Sequence, residues 1–350
     1  MSTALPTAVE SPVVGSPAAL RGHRLPLVLV AFTATAATLL AAGCSGDDPL
    51  TTPDGSTIVT STTRIADVNV VAADRDTTRT CLAPTAPDDG QTDVARIVVT
   101  DPALLDAVCA LGMGPKVTAV TAAAGSVPAY LGPQLTSVPT IGATPDASAA
   151  TAASPDVVLT SPQSAASARA FSDARVVSVA PDADWQKRFQ AVADGLGRSA
   201  AGERLLDEFR TEASKTGVRL DAAHNQISLV RFAGSSEMIA GTDSFAGGIL
   251  GMIGIQRPAP QRNPRSFTVT DQNFKDADGD LIYVSFNGPE GQAHGEEVLR
   301  SDRWLDMGAP TWKRVLVVDD EIWYRTSGLA AAWLVLNDVK ESIDGNSANF

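Results

Sequence analysis

From Arg96 onward, short runs of β-branched residues alternate with helical stretches, and this alternation limits the available folds more than any other feature of the chain. Residues 96–100 are apolar enough for a buried strand, and Asp101-Pro102 then caps and starts a helix over residues 103–111. Because buried strands connected through helices form parallel sheets, the sequence predicts an α/β fold. Similar spacing predicts strands at residues 116–120, 139–142, 155–160 and 175–179, and a short helix at residues 147–153.

The middle of the chain is strongly helical, and the α/β pattern restarts after it. Residues 185–222 carry apolar residues at helical spacing, interrupted by Gly195 and Gly197, which predicts two consecutive helices. The second, at residues 199–221, would extend about 30 Å, long enough to bridge two lobes. The later pattern predicts strands at residues 226–232 and 281–286, a hairpin-like pair at residues 315–318 and 322–324, and helices at residues 245–252 and 329–343.

Two segments from separate halves of the chain resemble each other. Residues 154–161 (SPDVVLTS) and 278–285 (DGDLIYVS) each place an acidic turn before a buried strand that ends in hydroxyl residues. The repetition predicts two similarly built, Rossmann-like α/β lobes joined by a single long helix. We assign residues 62–198 to the N-terminal lobe, residues 199–222 to the connecting helix and residues 223–345 to the C-terminal lobe.

The N-terminal region has the pattern of an export signal. A basic stretch precedes a short apolar stretch, residues 25–42, which ends in small residues before Cys44. The sequence Leu-Ala-Ala-Gly-Cys resembles a bacterial lipobox, which implies a signal peptide at residues 1–43, a diacylated Cys44 and a flexible tether over residues 44–61. The alternative is a transmembrane helix, which requires about 20 apolar residues. We expect a protein anchored by lipid to the extracytoplasmic side of the cell membrane.

The net charge limits the kinds of partner that the protein can bind. The cysteine content bears on whether the chain carries a disulfide. The chain has 40 acidic and 27 basic side chains, and a formal net charge of −13 argues against a nucleic-acid partner. With Cys44 lipidated, Cys81 and Cys109 remain as an even pair in an oxidising compartment, where we expect a disulfide. Two buried free thiols are the alternative, because sequence alone does not show whether the two Cα atoms lie within about 7 Å.

Several kinds of chemistry find no support in the residue pattern. Only two histidines follow the signal segment, too few for capture of free zinc or manganese. Asp276, Asp278 and Asp280 begin like a calcium loop, but Leu281 stands where that loop requires glycine. The chain lacks the Gly-x-Ser-x-Gly pattern of serine hydrolases. We therefore predict no metal site, no cofactor apart from the lipid, and no enzyme activity.

The order of these elements is similar to that of the substrate-binding proteins that serve iron-siderophore, haem and cobalamin ABC importers. The resemblance covers roughly residues 63–343 and rests on residues 96–112, the repeated acidic element, the connecting helix, and residues 241–254 and 312–324. It implies a monomeric lipoprotein with a ligand cleft between its lobes, which captures a ferric siderophore or haem and delivers it to an ABC permease. Cobalamin is an alternative ligand. A cell-envelope interaction or assembly protein on the same scaffold, without a transport role, is an alternative function.

Candidate ligand residues follow from where open α/β sheets bind their ligands, which is beyond the carboxyl ends of the strands. Arg231 ends a predicted strand, and a guanidinium suits anionic hydroxamate, phenolate or carboxylate groups. Each arginine has a structural ion pair as its alternative role, and each aromatic residue a place in the core. The predicted ligand-binding residues are Thr100, Thr121, Tyr130, Ser161, Arg231, Phe232, Phe245, Arg262, Arg265, Phe286, Asn287 and Trp323.

The resemblance also implies a docking surface for the permease. Members of this family commonly dock through one acidic residue on each lobe, and the resemblance places Asp106, on the first predicted helix, at the first position. Its alternative role is an ordinary exposed helix charge. The second position falls within residues 245–250, where this chain has Gly248 and no carboxylate. Only half of the docking pair is therefore predicted.

Overall fold

The computed structural model describes residues 68–181 and 184–347, with side chains as far as Ile343. The predicted signal peptide, the lipidation site Cys44 and the tether lie outside the described residues. The described residues form ten strands, β1 to β10 in chain order: Asn69–Val70, Ile97–Val99, Val117–Val120, Val157–Thr160, Arg175–Ser178, Ile227–Ala233, Ser236–Ile239, Phe267–Thr268, Leu281–Asn287 and Val315–Val317.

Two sheets organise this part of the chain. The first lobe is built on a four-stranded parallel sheet of order β3-β2-β4-β5. The second lobe is built on a six-stranded sheet of order β1-β10-β9-β6-β7-β8, in which β7 and β8 run antiparallel to their neighbours. Strand β1 pairs with β10, so the described chain begins in the sheet of the second lobe, although the sequence places residues 62–198 in the first. The mixed α/β fold with two lobes confirms the predicted fold class.

Helices cover both sheets, and none of the described helices is both long enough and apolar enough to cross a bilayer. Short 3-10 turns lie at Thr77–Arg79, Pro102–Leu104, Gly114–Lys116, Ala129–Leu131, Ala222–His224, Ala259–Gln261 and Phe274–Ala277, and a single π-helical turn lies at Glu321–Arg325. The α-helices, α1 to α11, are Leu105–Ala110, Pro133–Thr136, Ala147–Ala153, Ala165–Ala168, Trp185–Gly195, Ser199–Arg219, Phe245–Ile253, Gly288–Leu299, Asp302–Leu305, Gly308–Thr311 and Leu329–Ser347.

The predicted strands that correspond to β2 to β6 and β9 are confirmed to within two residues. The prediction of a strand at residues 322–324 is wrong, because the Asp319 carboxylate accepts hydrogen bonds from the amides of Glu321 and Ile322 and starts a helical turn directly after β10. Residues 139–142 form only an isolated bridge, between Val120 and Thr140. Strands β1, β7 and β8 and helices α2, α4, α8, α9 and α10 are absent from the prediction.

The repeated acidic element has the same structural role in both lobes. In the first lobe, the Asp156 carboxylate accepts hydrogen bonds from the amides of Ala95 and Arg96, both at 2.9 Å, where β2 begins. In the second lobe, the Asp280 carboxylate accepts from the amide of Gln226 at 2.7 Å, where β6 begins. Each aspartate therefore joins the amino end of its own strand, β4 or β9, to the neighbouring strand. This shared contact explains why the two segments resemble each other.

Helix α6 connects the two lobes, as the sequence predicts. At its start, Asp88 accepts hydrogen bonds from the amides of Ser199 and Ala200, which caps the helix on the first-lobe side. At its other end, Gly217 lies directly against the carbonyl oxygen of Ile253, the last residue of α7 in the second lobe. The 21 residues of α6 extend about 30 Å.

Cys81 and Cys109 form a disulfide, with their Cα atoms 4.5 Å apart, as the sequence predicts. The bond joins the segment before the first-lobe sheet to helix α1, across a sequence separation of 28 residues. Cys109 itself is fully buried in the larger core.

Removal of the disulfide is expected to lower the free energy of unfolding by about 3 kcal/mol, because a closed loop of this length restricts the unfolded chain. The change is the double substitution Cys81→Ala and Cys109→Ala, compared with the oxidised protein by denaturant unfolding. Addition of a reductant should have no effect on the double variant. A mass measurement under non-reducing conditions that finds two free thiols would contradict the pairing.

Asp338, on helix α11, is buried and holds two other segments of the chain. Its carboxylate accepts hydrogen bonds from the indole Nε1 of Trp323 at 2.8 Å and from Arg75 Nη2 at 2.6 Å. Burial raises the pKa of Asp338 to about 6, and the charge of Arg75 only partly opposes this shift. Trp323 is itself fully buried in this contact.

Stability is expected to fall as the pH rises from 4 to 7, because the folded protein holds the Asp338 proton more tightly than the unfolded chain does. The contribution is fully present below the ordinary carboxyl pKa of 3.8 and is lost as the pH passes about 6. Its size is about 3 kcal/mol. Asp338→Asn should flatten this part of the stability profile, measured by denaturant unfolding at each pH. Parallel profiles for the two proteins would show that Asp338 does not cause the dependence.

Candidate ligand-binding cleft

A cavity of about 250 Å³ opens between the two lobes. Its first-lobe wall begins directly after β2 and also includes the residue after β4 and part of α5. Its second-lobe wall is formed by the helical turn Glu321–Arg325 and the two residues that follow it. The cavity therefore lies at the carboxyl ends of β2 and β4, where α/β sheets bind ligands. The polar residues that line it are Asp101, Tyr130, Ser161, Arg188, Glu321, Arg325, Thr326 and Ser327.

A wider groove of about 770 Å³ lies along α6, beside Trp333 and Lys340 of α11. It is shallow and open, and most of its lining side chains are charged residues on the solvent side of α6. Among the described residues, no strand ends at this groove. The inter-lobe cavity is therefore the better candidate site.

Hydroxyl groups from neighbouring strand ends hold the first-lobe wall together. Thr100 Oγ1 donates to Thr160 Oγ1 at 2.8 Å and lies 2.8 Å from Ser164 Oγ, and Ser164 Oγ also accepts from the amide of Ser161. Thr121 is buried and donates to the carbonyl of Thr100. The hydroxyls that end the predicted strands thus satisfy one another, and among them Ser161 faces the cavity.

Arginines from both lobes meet at the cavity. Arg188, on α5, donates from Nη2 to the carbonyl and the hydroxyl of Ser327, both at 2.5 Å, and so links the two lobes. Arg325, on the opposite wall, is exposed and forms an ion pair with Glu321 at 3.0 Å. A guanidinium presents several donors in a planar fork, which suits oxygen-rich anionic groups. The cleft therefore offers a cationic group on each side.

Asp106 is not a surface charge. It is buried, and its carboxylate accepts hydrogen bonds from the amides of Ala330 and Ala331 at 2.9 Å and from the Tyr130 hydroxyl at 2.8 Å. Burial raises the pKa of Asp106, while these three donors oppose the shift. The expectation that Asp106 is exposed for permease docking is wrong, because its carboxylate instead caps the amino end of α11. Gly248 lies on the exposed face of α7 with open space around it.

Arg231 lies outside the cavity wall and has a full partner. Its Nε and Nη2 donate to the two carboxylate oxygens of Asp320 at 2.7 and 2.8 Å, and Ser285 donates to the same carboxylate. The bond to Asp320 keeps the pKa of Arg231 above its usual value. The Tyr324 ring lies 5.2 Å from the guanidinium carbon. A direct contact between Arg231 and a ligand stays a prediction.

The other predicted ligand-binding residues are either buried in the core or exposed away from the cavity. Phe232 and Trp323 are fully buried core residues, and Phe232 stacks on Phe286 with ring centres 5.7 Å apart. Phe245 packs edge-to-face on Trp185. Arg262, Arg265 and Asn287 are exposed and lie away from the cavity lining. Of the twelve predicted residues, the cavity brings together Tyr130 and Ser161.

A family model described as periplasmic binding protein matches residues 97–322. This match spans more than half of the chain and includes the first-lobe wall of the cleft and Glu321 of the second-lobe wall, and it ends before Arg325, Thr326 and Ser327. The chain belongs to the periplasmic binding protein family.

Individual members of the family share only limited sequence identity with this chain. The probable siderophore-binding lipoprotein YfiY of Bacillus subtilis (strain 168) is 26% identical over 170 residues, which cover 45% of this chain and 52% of YfiY. The match thus spans about half the length of that relative. SirA of Staphylococcus aureus complexed with staphyloferrin B superposes with a TM-score of 0.58 at 17% identity, covering 73% of this chain and 94% of SirA. FhuD2 of Staphylococcus aureus with bound ferrioxamine B superposes with a TM-score of 0.54 at 16% identity, covering 71% of this chain and 97% of FhuD2.

The two cleft arginines are missing from the sequence-based prediction. Arg188 projects from a helix, and Arg325 from a segment predicted as a strand, so a rule based on strand ends selects neither of them. A usable signal was nonetheless present. The run Arg325-Thr326-Ser327 stands immediately before Gly328 and the predicted last helix, and a polar run at a helix start is typical of a binding loop.

Proposed function

We propose that this protein captures a ferric siderophore in the cleft between its lobes, outside the membrane, for uptake by an ABC permease. The observation that carries the proposal is the inter-lobe cavity with Arg188 on one side and Arg325 on the other. Membership in the periplasmic binding protein family supports capture of a substrate and gives no support for catalysis. The relatives named above, one called a probable siderophore-binding lipoprotein and two solved with siderophores, favour this ligand class.

The chemistry of the cleft supports an oxygen-rich ligand. Hydroxamate and carboxylate oxygens of a chelate can accept from the exposed guanidinium of Arg325, and Ser161 and Thr326 offer hydroxyls nearby. The cavity volume of about 250 Å³ is below the usual range for ligand sites, so a bulky chelate would sit across the cleft mouth. Haem is the alternative ligand that the sequence leaves open.

The N-terminal sequence pattern supports a location at the outer face of the cell membrane. A diacylated Cys44 and its tether would hold the binding lobes at the outer face of the cell membrane, where a permease would receive the ligand. Two acyl chains anchor a protein stably, because each buried methylene contributes about 0.8 kcal/mol. Labelling with a radioactive fatty acid, with Cys44→Ser as the control, tests the anchor independently of ligand binding.

Ligand capture is expected to quench tryptophan fluorescence, because Trp323 lies in the helical turn that forms the second-lobe wall and ferric chelates absorb strongly. Titration with ferric hydroxamate and ferric carboxylate siderophores and with haem should identify a ligand that binds at micromolar concentration or below. Arg188→Ala and Arg325→Ala should each weaken its binding by about 1 to 3 kcal/mol, the range for loss of a charge-assisted hydrogen bond.

Arg300→Ala is the matched control, since Arg300 is an exposed arginine directly after α8 that pairs with Glu296 and does not line the cavity. This variant should bind as the unaltered protein does. Emission that none of the ferric ligands changes would overturn the proposed function. Equal affinities for all three arginine variants would place the ligand outside this cleft.

A further inference from the structure

Trp312 is a tryptophan that the fold leaves exposed at one corner of the second lobe. Its side chain is 72% exposed, whereas Trp304 and Trp323 are buried. It follows α10 directly, and the amides of Trp312 and Arg314 donate to carbonyls of that helix at 3.1 and 2.8 Å. These bonds close the turn between α10 and β10. A single exposed apolar residue is common on protein surfaces, so its surroundings decide what it signifies.

The chain that leads from the predicted lipidation site enters the fold at this same corner. Strand β1 runs parallel to β10 at the edge of the second-lobe sheet. Val68, the first described residue, packs against the core cluster that includes Val315, the first residue of β10. The described chain therefore begins at the amino end of β10, where Trp312 also lies. In the sequence, Val68 follows Cys44 by only 24 positions.

The two residues after Trp312 are cationic. Lys313 is exposed and Arg314 is partly exposed. A tryptophan with neighbouring lysine or arginine is typical of a membrane–water interface, because the indole lies among the headgroups while the cations favour lipid phosphate. Asp278 lies at the same turn, but its carboxylate accepts hydrogen bonds from the first two amides of α10. The exposed groups of this turn are therefore apolar and cationic.

We propose that the corner formed by Trp312, Lys313 and Arg314, the membrane corner, contacts the surface of a phospholipid bilayer with its indole among the headgroups. The proposal rests on the lipid anchor of the proposed function and not on which chelate the cleft binds. A protein partner fits this corner less well, since a stable protein interface buries about 800 Å² on each side and one tryptophan supplies about 150 to 250 Å².

The lipid anchor makes a weak contact sufficient. For a flexible chain of 24 residues the root-mean-square end-to-end distance is about 25 to 30 Å, so an anchored protein keeps its membrane corner near the bilayer. A short linkage of this kind gives an effective concentration of about the millimolar range. The formal net charge of −13 opposes the approach of the free protein to an anionic surface. Contact is therefore expected only for the anchored protein.

This contact would turn the ligand cleft away from the bilayer. Strand β10 runs from the membrane corner, at its amino end, towards the helical turn Glu321–Arg325, whose two end residues line the cavity. The membrane corner and the second-lobe wall of the cleft thus lie at opposite ends of one strand. An anchored protein would present its cleft to the solution for capture, and delivery to a permease would require release of the corner from the bilayer.

The test couples the chain from residue 44 onward to vesicles through Cys44. Because Cys81 and Cys109 form a disulfide, Cys44 carries the one free thiol, and a maleimide lipid in phosphatidylcholine vesicles replaces acylation. Phosphatidylcholine brominated on its acyl chains quenches tryptophans that enter the bilayer. The emission of Trp312, taken as the difference between the protein and Trp312→Phe, should fall at least about twofold in brominated vesicles. Uncoupled protein mixed with the same vesicles should show no quenching.

A tryptophan moved to another surface provides the matched control. Trp312→Phe combined with Val218→Trp places the indole on α6, at a position whose native side chain is 84% exposed. Its emission should be unchanged by bromine in the coupled protein. Trp312→Phe should also bind the ferric chelate as the unaltered protein does, so a failure of chelate binding and a failure of the membrane contact are separate results.

Two results would overturn the membrane corner. The first is an absence of Trp312 quenching in the coupled protein, or quenching that the moved tryptophan reproduces. The second is a dimer that forms without vesicles in analytical ultracentrifugation and is lost in Trp312→Ala, because that result would assign the corner to a second copy of the chain.

Discussion

Asp106→Ala is expected to lower the free energy of unfolding by about 3 to 5 kcal/mol, because the change removes the acceptor of two buried amides and one of the two hydrogen-bond partners of a buried hydroxyl. Two of these donors are the amides of Ala330 and Ala331, in the first turn of α11, and the third is the hydroxyl of Tyr130. Asp106 thus acts as a helix cap across a sequence distance of more than 200 residues. The amino end of α11 also carries a partial positive charge that favours a carboxylate.

Asp106 lies so close to Gly328 that a side chain at position 328 would not fit beside it. A Cβ atom on Gly328 would lie 2.1 Å from the Asp106 carboxylate oxygen, so only glycine at that position allows the approach. Asp146→Ala is the matched control, since Asp146 caps helix α3 through the amide of Ala149 at an exposed site. Asp146→Ala should lower the free energy of unfolding by about 1 kcal/mol. Equal losses for the two variants in denaturant unfolding would contradict a buried cap at Asp106.

Gly217→Ala is expected to destabilise the protein by about 2 to 4 kcal/mol, in spite of the higher helix propensity of alanine. The added Cβ would lie 1.8 Å from the carbonyl oxygen of Ile253, a backbone atom that has no rotamer to change. Helices α6 and α7 would have to move apart. Propensity alone favours alanine by about 1 kcal/mol, so the steric term decides the sign.

Gly251→Ala tests the same substitution without the steric conflict. Gly251 lies in α7 and has no heavy atom within 4 Å of an added Cβ. The free energy of unfolding of this variant should rise by up to about 1 kcal/mol. A gain at Gly217 as well would show that α6 and α7 are not in close contact. Because α6 connects the lobes, the loss at Gly217 should be accompanied by weaker chelate binding.

The long periodic elements were predictable, and the short ones were not. Apolar spacing over seven or more residues located α3, α5, α6, α7 and α11, and β-branched runs located the central parallel strands. Strands β1 and β8 have two residues each and carry no period at all. Their pairing depends on neighbours that are distant in sequence. The turn at Glu321–Arg325 reads as a strand because Ile322, Trp323 and Tyr324 favour β structure, yet the Asp319 side chain redirects the backbone.

The binding cleft was predictable only in position. The rule that ligands bind beyond strand ends selected Ser161 and indicated the edge of the sheet where the cavity lies. It also selected Thr100, whose hydroxyl is buried against Thr160 of β4, and Thr121, whose hydroxyl donates to the carbonyl of Thr100. Asp106 was misjudged for a related reason. A charge on a short helix is normally exposed, and only the amino end of α11, which is remote in sequence, makes its burial favourable.

The central claim is that a ferric chelate binds between the lobes, and a crystal grown with the tightest-binding ferric ligand tests it most directly. Anomalous scattering at the iron edge locates the metal without reference to any relative. The account predicts one strong iron peak in the cleft between Ser161 and Arg325, with ligand oxygens within hydrogen-bond distance of an arginine. An iron peak at any other place on the molecule, or a cleft that contains only water at saturating ligand, would contradict it.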